Sequence, residues 1–217
     1  MTGTGGMFPP LYGIPVFLAC GLLGAVLLRP VRLYLAARGV DAARHRAVAA
    51  GIWLFAVTGL LIVLSPGSLV TCAGMLLMSG FLLQLGVMDA VSGWLPRPWT
   101  VSCLCGGLLF TLAHHHAPLW RMAETGVTGL VVWLFFVVVN RRREQLGAGD
   151  AWLLTGLTAW VGLADMLSVA VTGLSGFLLW QWVPYRDVTR AGVLGPWLCA
   201  GGVPVIIGRL YQPLWIV

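Results

Sequence analysis

Long apolar runs dominate this chain and leave almost no room for anything else. Reading for apolar stretches broken by charge, Pro and Gly gives eight segments, at about 11–28, 47–64, 69–88, 99–114, 122–139, 150–163, 165–182 and 195–211. A membrane crossing needs about 20 mostly apolar residues, so 217 residues hold about eight crossings with short links and no sizeable domain outside them. Of the residues, 59% are hydrophobic and 9% are charged, with mean hydropathy +0.92. Water-soluble domains carry about 25% charged residues. A soluble fold, a disordered chain and a nucleic-acid-binding arm are therefore excluded. The expectation is an all-α, polytopic transmembrane helical bundle forming one domain over 1–217.

Charge sets the orientation. All 13 basic residues are Arg, against seven acids, for a net charge of +6. The first of them, Arg29, follows the first apolar run instead of preceding it, a pattern unlike a cleaved signal peptide and one that inserts with the N-terminus outside. Threading eight spans from there places the Arg29–Arg46 loop, Arg97, Arg141–Arg143, Arg186 and Arg190 on the cytoplasmic side. Arg121 and Arg209 alone fall outside. Eleven of 13 inside matches the bias of basic residues toward cytoplasmic loops, and both termini then lie on the periplasmic side. Merging the sixth and seventh segments, which only Leu163–Asp165 separate, would put Arg186 and Arg190 outside.

The five cysteines (Cys20, Cys72, Cys103, Cys105 and Cys199) sit in apolar runs without a CxxC pair, so they read as small buried hydrophobes. His114–His116 falls at the outer end of the fourth segment. Consecutive histidines point in different directions on a helix, so a headgroup cluster is expected there and no metal site. Trp53, Trp120, Trp133, Trp180, Trp182 and Trp215 form an aromatic belt near segment ends. Gly126, Gly129, Gly156, Gly162, Gly173 and Gly176 are expected to let helices pack closely.

The acids carry the chemistry. Placing an Asp at a helix centre costs about 2.5–3.5 kcal/mol on insertion scales, so each carboxylate at membrane depth needs a reason. Asp41, Glu144 and Asp187 share loops with Arg and read as solvated charges; Glu124 and Asp165 read as outer helix ends. Asp89 closes the run Leu69–Met88 and Asp150 opens the run Ala151–Val161, so the eight-span threading brings both to the cytoplasmic face. A Gly and a Pro bend the chain after Asp89, at Gly93 and Pro96. Gly147-Ala148-Gly149 lets backbones approach before Asp150. Two carboxylates meeting beside a low-dielectric medium cannot both ionise easily; sharing one proton, they can activate a water and protonate a leaving group. Helix-end charges or an ion pathway are the other readings of the same pair. Gln84, about one turn before Asp89, is a candidate to hydrogen-bond it.

The run Gly147-Ala148-Gly149-Asp150, followed by a Leu/Ala-rich stretch ending Trp160-Val161-Gly162, resembles the GxGD signature of prepilin peptidases, the bacterial intramembrane aspartic proteases of type IV leader processing. Asp89 and Pro96 reproduce the family's D-x6-P spacing, and Gly195-Pro196-Trp197-Leu198 resembles its Gly-Pro-aromatic-Leu element. The three elements follow the family order from about 75 to 205.

The resemblance implies a catalytic dyad of Asp89 and Asp150, a turn shaped by Gly147 and Gly149, and architectural roles for Pro96, Gly195 and Pro196. It implies endopeptidase cleavage of prepilins or pseudopilins after a Gly at the cytoplasmic face of the bacterial inner membrane, with no metal and no organic cofactor. The partners are then that substrate and membrane lipid, with no nucleic acid; the oligomeric state is left open. Arg97 stands where the family often has Asp or Asn, and Trp152 where many members have Lys. Bifunctional members carry a CxxC-bearing zinc insert after the first helix; here the short Arg-rich stretch 29–46 has no cysteine, so peptidase activity without N-methylation is expected. The rival class is a non-enzymatic protein, either a proton-coupled transporter or a pilus-assembly scaffold. A transporter would more often bury its ionisable groups near the midplane.

Overall fold

A computed structural model of the chain describes residues 12–42, 45–114, 117–141, 147–185 and 192–211. Arg44, His115, His116, Arg142, Arg143, Glu144, Arg186, Asp187, Arg190 and Trp215 lie outside the described residues. Among the described residues eight helices follow one another: α1 Gly13–Leu27, α2 Arg29–Ala36, α3 Arg46–Val63, α4 Leu69–Ser92, α5 Arg97–His114, α6 Pro118–Val139, α7 Ala148–Tyr185 and α8 Gly195–Tyr211. The all-helical expectation holds among these residues. Among the described residues five stretches are long and apolar enough to cross a membrane: Gly13–Ala36, Arg46–Val63, Leu69–Ser92, Pro118–Val139 and Ala148–Trp182.

Residues 29–46, expected as a loop, begin with a helix. Pro30 stands in the first turn of α2, where its missing N–H leaves no bond unmade and its fixed φ suits the helix. Val31 and Leu35 then fall one turn apart on one face and are buried with Leu28, Val48, Phe55 and Met88. The Arg-rich stretch is thus amphipathic and packs down on α3 and α4. The chain leaves it through Gly39 at φ 77°.

The second core joins α4, α5, α7 and α8 around Met78, Leu85, Leu153, Leu157 and Ile206. Outward faces remain apolar: Trp53, Leu69, Trp120, Val127, Phe135 and Trp182 are all exposed. Apolar surface this extensive needs a non-aqueous neighbour, and the chain is accordingly a multi-pass membrane protein.

Helix α7 is a hairpin of two arms. Gly162 has φ 81° and ψ 171°, outside helical values. Beyond it the chain doubles back, so that Asp150 and Leu174 line one cavity; in a straight helix 24 residues would separate them by about 36 Å. The reversal exposes backbone groups that a membrane cannot hydrate, and side chains satisfy them. The Leu163 N–H donates to Glu124 Oε1 at 2.8 Å, and the Arg209 guanidinium donates to the Val161 carbonyl. Each of these side chains is ion-paired: Arg121 to Glu124 at 2.7 Å and Arg209 to Asp165 at 2.5 Å.

Glu124 and Asp165 are therefore partners in a brace, beyond the helix-end charges expected of them. Gly162 is likewise a hinge, unlike the packing glycine expected. Gly126 meets nothing within 4 Å, whereas Gly129 packs on Thr155 and Gly173 and Gly176 on Trp197. Arg121 and Arg209 thus sit together at one end of the bundle, both compensated by acids. Arg38 and Arg97 line a cavity at the other.

Candidate active site

That other end gathers the C-terminal turn of α4 and the N-terminal turns of α5, α7 and α8. Helix α4 starts on Ser68, whose Oγ accepts the Thr71 N–H at 3.2 Å, and stops at Gly93, in the left-handed conformation with φ 65°. A left-handed residue after the last turn is the common way to end a helix, and Gly adopts it without a Cβ penalty. The stop leaves Asp89 in the final turn, its carbonyl accepting the Gly93 N–H at 2.7 Å. Asp89 is only 5% exposed.

Gly195 opens α8, so its N–H has no partner within that helix. It donates to the Asp89 carboxylate. The two residues are packed so closely that a Cβ at 195 would collide with the carboxylate, standing 2.9 Å from its Cγ. Pro196, in the first turn of α8, turns toward α3 and α4 and lines an apolar pocket there with Gly86 and Cys199.

Asp150 is held by the same device from another element. The Gly147 N–H donates to its carboxylate, while the Asp150 N–H returns to the Gly147 carbonyl at 3.1 Å. Gly149 lies against Leu95, whose carbonyl would be 2.9 Å from any Cβ placed there. The two glycines of the motif therefore have separate tasks. Gly147 supplies a donor to the carboxylate, and Gly149 lets the start of α7 touch the α4–α5 link.

Both carboxylates line one cavity of about 560 Å³, with Pro96, Gly147 and Gly149 in its wall, and they are close enough for their charges to interact. Asp89 and Asp150 thus come together from positions 61 residues apart in the sequence, at a single end of the bundle. A buried carboxylate beside a half-buried one, each oriented by a backbone N–H, can hold one proton between them and polarise a water.

Sequence reasoning missed the roof of this cavity. The Arg38 guanidinium lies 4.5 Å from the ring centre of Tyr34 and 4.3 Å from that of Trp94, a cation–π arrangement that ties the end of α2 to the α4–α5 link. The one available signal was the amphipathic spacing of Val31 and Leu35. Gln84, expected beside Asp89, instead donates to the Leu27 carbonyl at 2.8 Å and fastens α4 to the end of α1. Five residues of helix, at about 100° each, set its side chain about 140° round the axis from the aspartate. His114 packs against Phe110 in a tilted ring contact with ring centres 5.1 Å apart.

Residues 76–181 match the type IV leader peptidase family. The chain is 37% identical over 138 residues to a prepilin leader peptidase/N-methyltransferase of Dickeya chrysanthemi, covering 59% of this chain and 48% of that protein. It is 32% identical over 185 residues to the protein of the same name from Pectobacterium carotovorum, covering 80% of this chain and 66% of that one. For the Escherichia coli K12 protein of that name the identity is 30% over 148 residues, covering 64% and 65%. The chain thus spans about half to two thirds of the length of these relatives. No solved structure matches it.

Proposed function

The chain carries a domain of the type IV leader peptidase family over residues 76–181, and from that premise we propose that it is an aspartic endopeptidase that removes the leaders of type IV prepilins or pseudopilins. The observation that carries this reading is the meeting of Asp89 and Asp150 in one cavity at the end of the bundle, each with a glycine N–H on its carboxylate. The match spans both aspartates.

In this reading the pair holds one proton. The ionised carboxylate takes a proton from a water as its oxygen attacks the carbonyl carbon of the peptide that follows the leader Gly. The protonated carboxyl gives its proton to the carbonyl oxygen. The tetrahedral intermediate then collapses with proton transfer to the nitrogen, the C–N bond breaks, and a new carboxyl and a new amine leave. No other reactant enters. Gly195 and Gly147 keep the two carboxylates aimed at the water, which counts because misalignment by about 1 Å can cost a hundredfold in rate.

In this reading the chain crosses the bacterial inner membrane eight times, counting each arm of α7, and this end of the bundle lies on the cytoplasmic side. Arg38 and Arg97 line the cavity there. Among the described residues Arg29, Arg32, Arg38, Arg46, Arg97 and Arg141 fall at this end of the helices and Arg121 and Arg209 at the far end, and that bias in arginine number supports the orientation. Residues 29–46 contain no cysteine, which supports peptidase activity without N-methyltransferase activity. A transporter reading fits less well, because the two carboxylates lie at one end of the bundle and not between broken helices at mid-depth.

The test is cleavage of a purified prepilin by the chain in detergent, beside Asp89→Asn and Asp150→Asn variants that accumulate normally in the membrane. Both variants should be inactive. Cleavage by Asp150→Asn at the unmutated rate would overturn the assignment.

A further inference from the structure

A second cavity meets the first at Asp150. It has a volume of about 240 Å³ and is walled by Val132, Phe135 and Phe136 of α6, Ala170 and Leu174 of the second arm of α7, and Leu198 of α8. Asp150 is the one ionisable residue in its described lining, and Gly147 and Asp150 belong to both cavities. Its rim faces sideways: Phe135 is 61% exposed and Leu174 is 48% exposed, on faces that the bundle turns toward lipid. Asp150 therefore stands between an apolar groove beside α6 and the second arm of α7 and a polar cavity lined by Arg38 and Arg97.

We propose that this groove is the lateral entrance for the substrate, and that it seats the first apolar residues after the scissile bond while the leader lies in the polar cavity. The inference rests on the prepilin-processing reading above and adds which face of the bundle the substrate uses. The occupant is a membrane-embedded apolar helix, because the groove offers such a segment no polar partner until Asp150. A helix keeps its own carbonyls hydrogen-bonded and shielded, so the bond to be cut must sit where the helix ends. The junction of the two cavities is that place: backbone groups freed by local unwinding pass directly from the apolar groove to polar surroundings, as the membrane requires.

The competing groove lies between α3, α4 and α8, lined by Ala50, Gly51, Leu54, Gly86 and Ala200. It is of similar size, about 200 Å³, but neither carboxylate is part of its wall.

The experiment compares Ala170→Trp, which fills the proposed groove, with Ala50→Trp, which fills the other. Each is assayed on full-length prepilin and on a short peptide that stops soon after the scissile bond. Ala170→Trp should raise KM for prepilin at least about tenfold while changing kcat/KM for the short peptide less than about twofold, and Ala50→Trp should leave both near unmutated values. A benzophenone side chain at position 135 in an Asp150→Asn background should photocrosslink uncleaved prepilin, whether or not the Trp variants fold; one at position 54 should not. Unchanged KM for Ala170→Trp, or capture at position 54 with none at 135, overturns the entrance assignment. If the unmutated chain cleaves no prepilin, it is the functional reading that falls.

Discussion

The backbone N–H of Gly195 holds the carboxylate of Asp89, and the missing side chain at 195 is what allows the approach. A Cβ there would overlap the carboxylate and lie 3.2 Å from the Asp89 Cβ. The first turn of α8 is thereby docked on the last turn of α4 through the carboxylate to which the proposed chemistry is assigned. Position 195 does not have a left-handed backbone, so its glycine answers to space alone.

Gly195→Ala should therefore leave the bundle folded and displace the Asp89 carboxylate. A shift near 1 Å at a reacting group costs about a hundredfold, so kcat on prepilin should fall by about that factor with the melting temperature in detergent changed by only a few degrees. Activity within about twofold of the unmutated chain would contradict the geometry.

Gly149 makes a similar prediction with an internal control. A side chain at 149 meets both the Cβ and the carbonyl of Leu95, whereas Gly126 has nothing within 4 Å. Gly149→Val should lower prepilin cleavage at least about tenfold by pushing the start of α7, and with it Asp150, away from the α4–α5 link. Gly126→Val should be active. Parallel kcat measurements on the two purified variants decide the matter.

The aspartates were legible in the sequence because a carboxylate at the boundary of an apolar run is costly and therefore conspicuous. The D-x6-P spacing and the GxGD run then tied Asp89 and Asp150 to one another. Nothing local revealed that Gly195 would aim its N–H at Asp89, since the donor and acceptor are 106 positions apart and meet only when α8 packs on α4. Charge counting placed Arg121 and Arg209 on one side, and both do occupy one end of the bundle; it could not show that Glu124 and Asp165 would pair with them. The same blindness made Gly162 look like a packing glycine. Its hinge role depends on Arg121 lying where a Cβ would go, and that contact is set by α6, not by the residues around Gly162.

Gly162→Ala should accordingly be among the most destabilising single substitutions at the far end. It combines a left-handed φ of 81° with a collision against the Arg121 guanidinium. A non-glycine residue held in a sparsely populated backbone region costs about 1–3 kcal/mol, before the lost ion-pair geometry is counted. Thermal unfolding in detergent should shift downward accordingly. A variant as stable as the unmutated chain would mean that the reversal at 162 is made some other way.

The brace itself separates stability from catalysis. Arg209 bonds both Asp165 and the Val161 carbonyl, so Arg209→Leu removes a charge partner and leaves a carbonyl unsatisfied at the reversal. Charged hydrogen bonds of this kind contribute about 1.5–3 kcal/mol, and Asp165, with its side chain 34% exposed, retains some access to solvent or headgroups. Asp165→Asn keeps an acceptor for the guanidinium and gives up only the ionic part, which for a partly exposed pair is about 1 kcal/mol or less. The order of melting temperatures should be unmutated, then Asp165→Asn, then Arg209→Leu. The folded fraction of all three should cleave prepilin with kcat within about twofold, because the brace and the two carboxylates of the proposed dyad occupy opposite ends of the bundle. If Asp165→Asn abolished cleavage while remaining folded, the carboxylate of Asp165 would belong to the chemistry, and the pairing of Asp89 with Asp150 would no longer suffice to explain it.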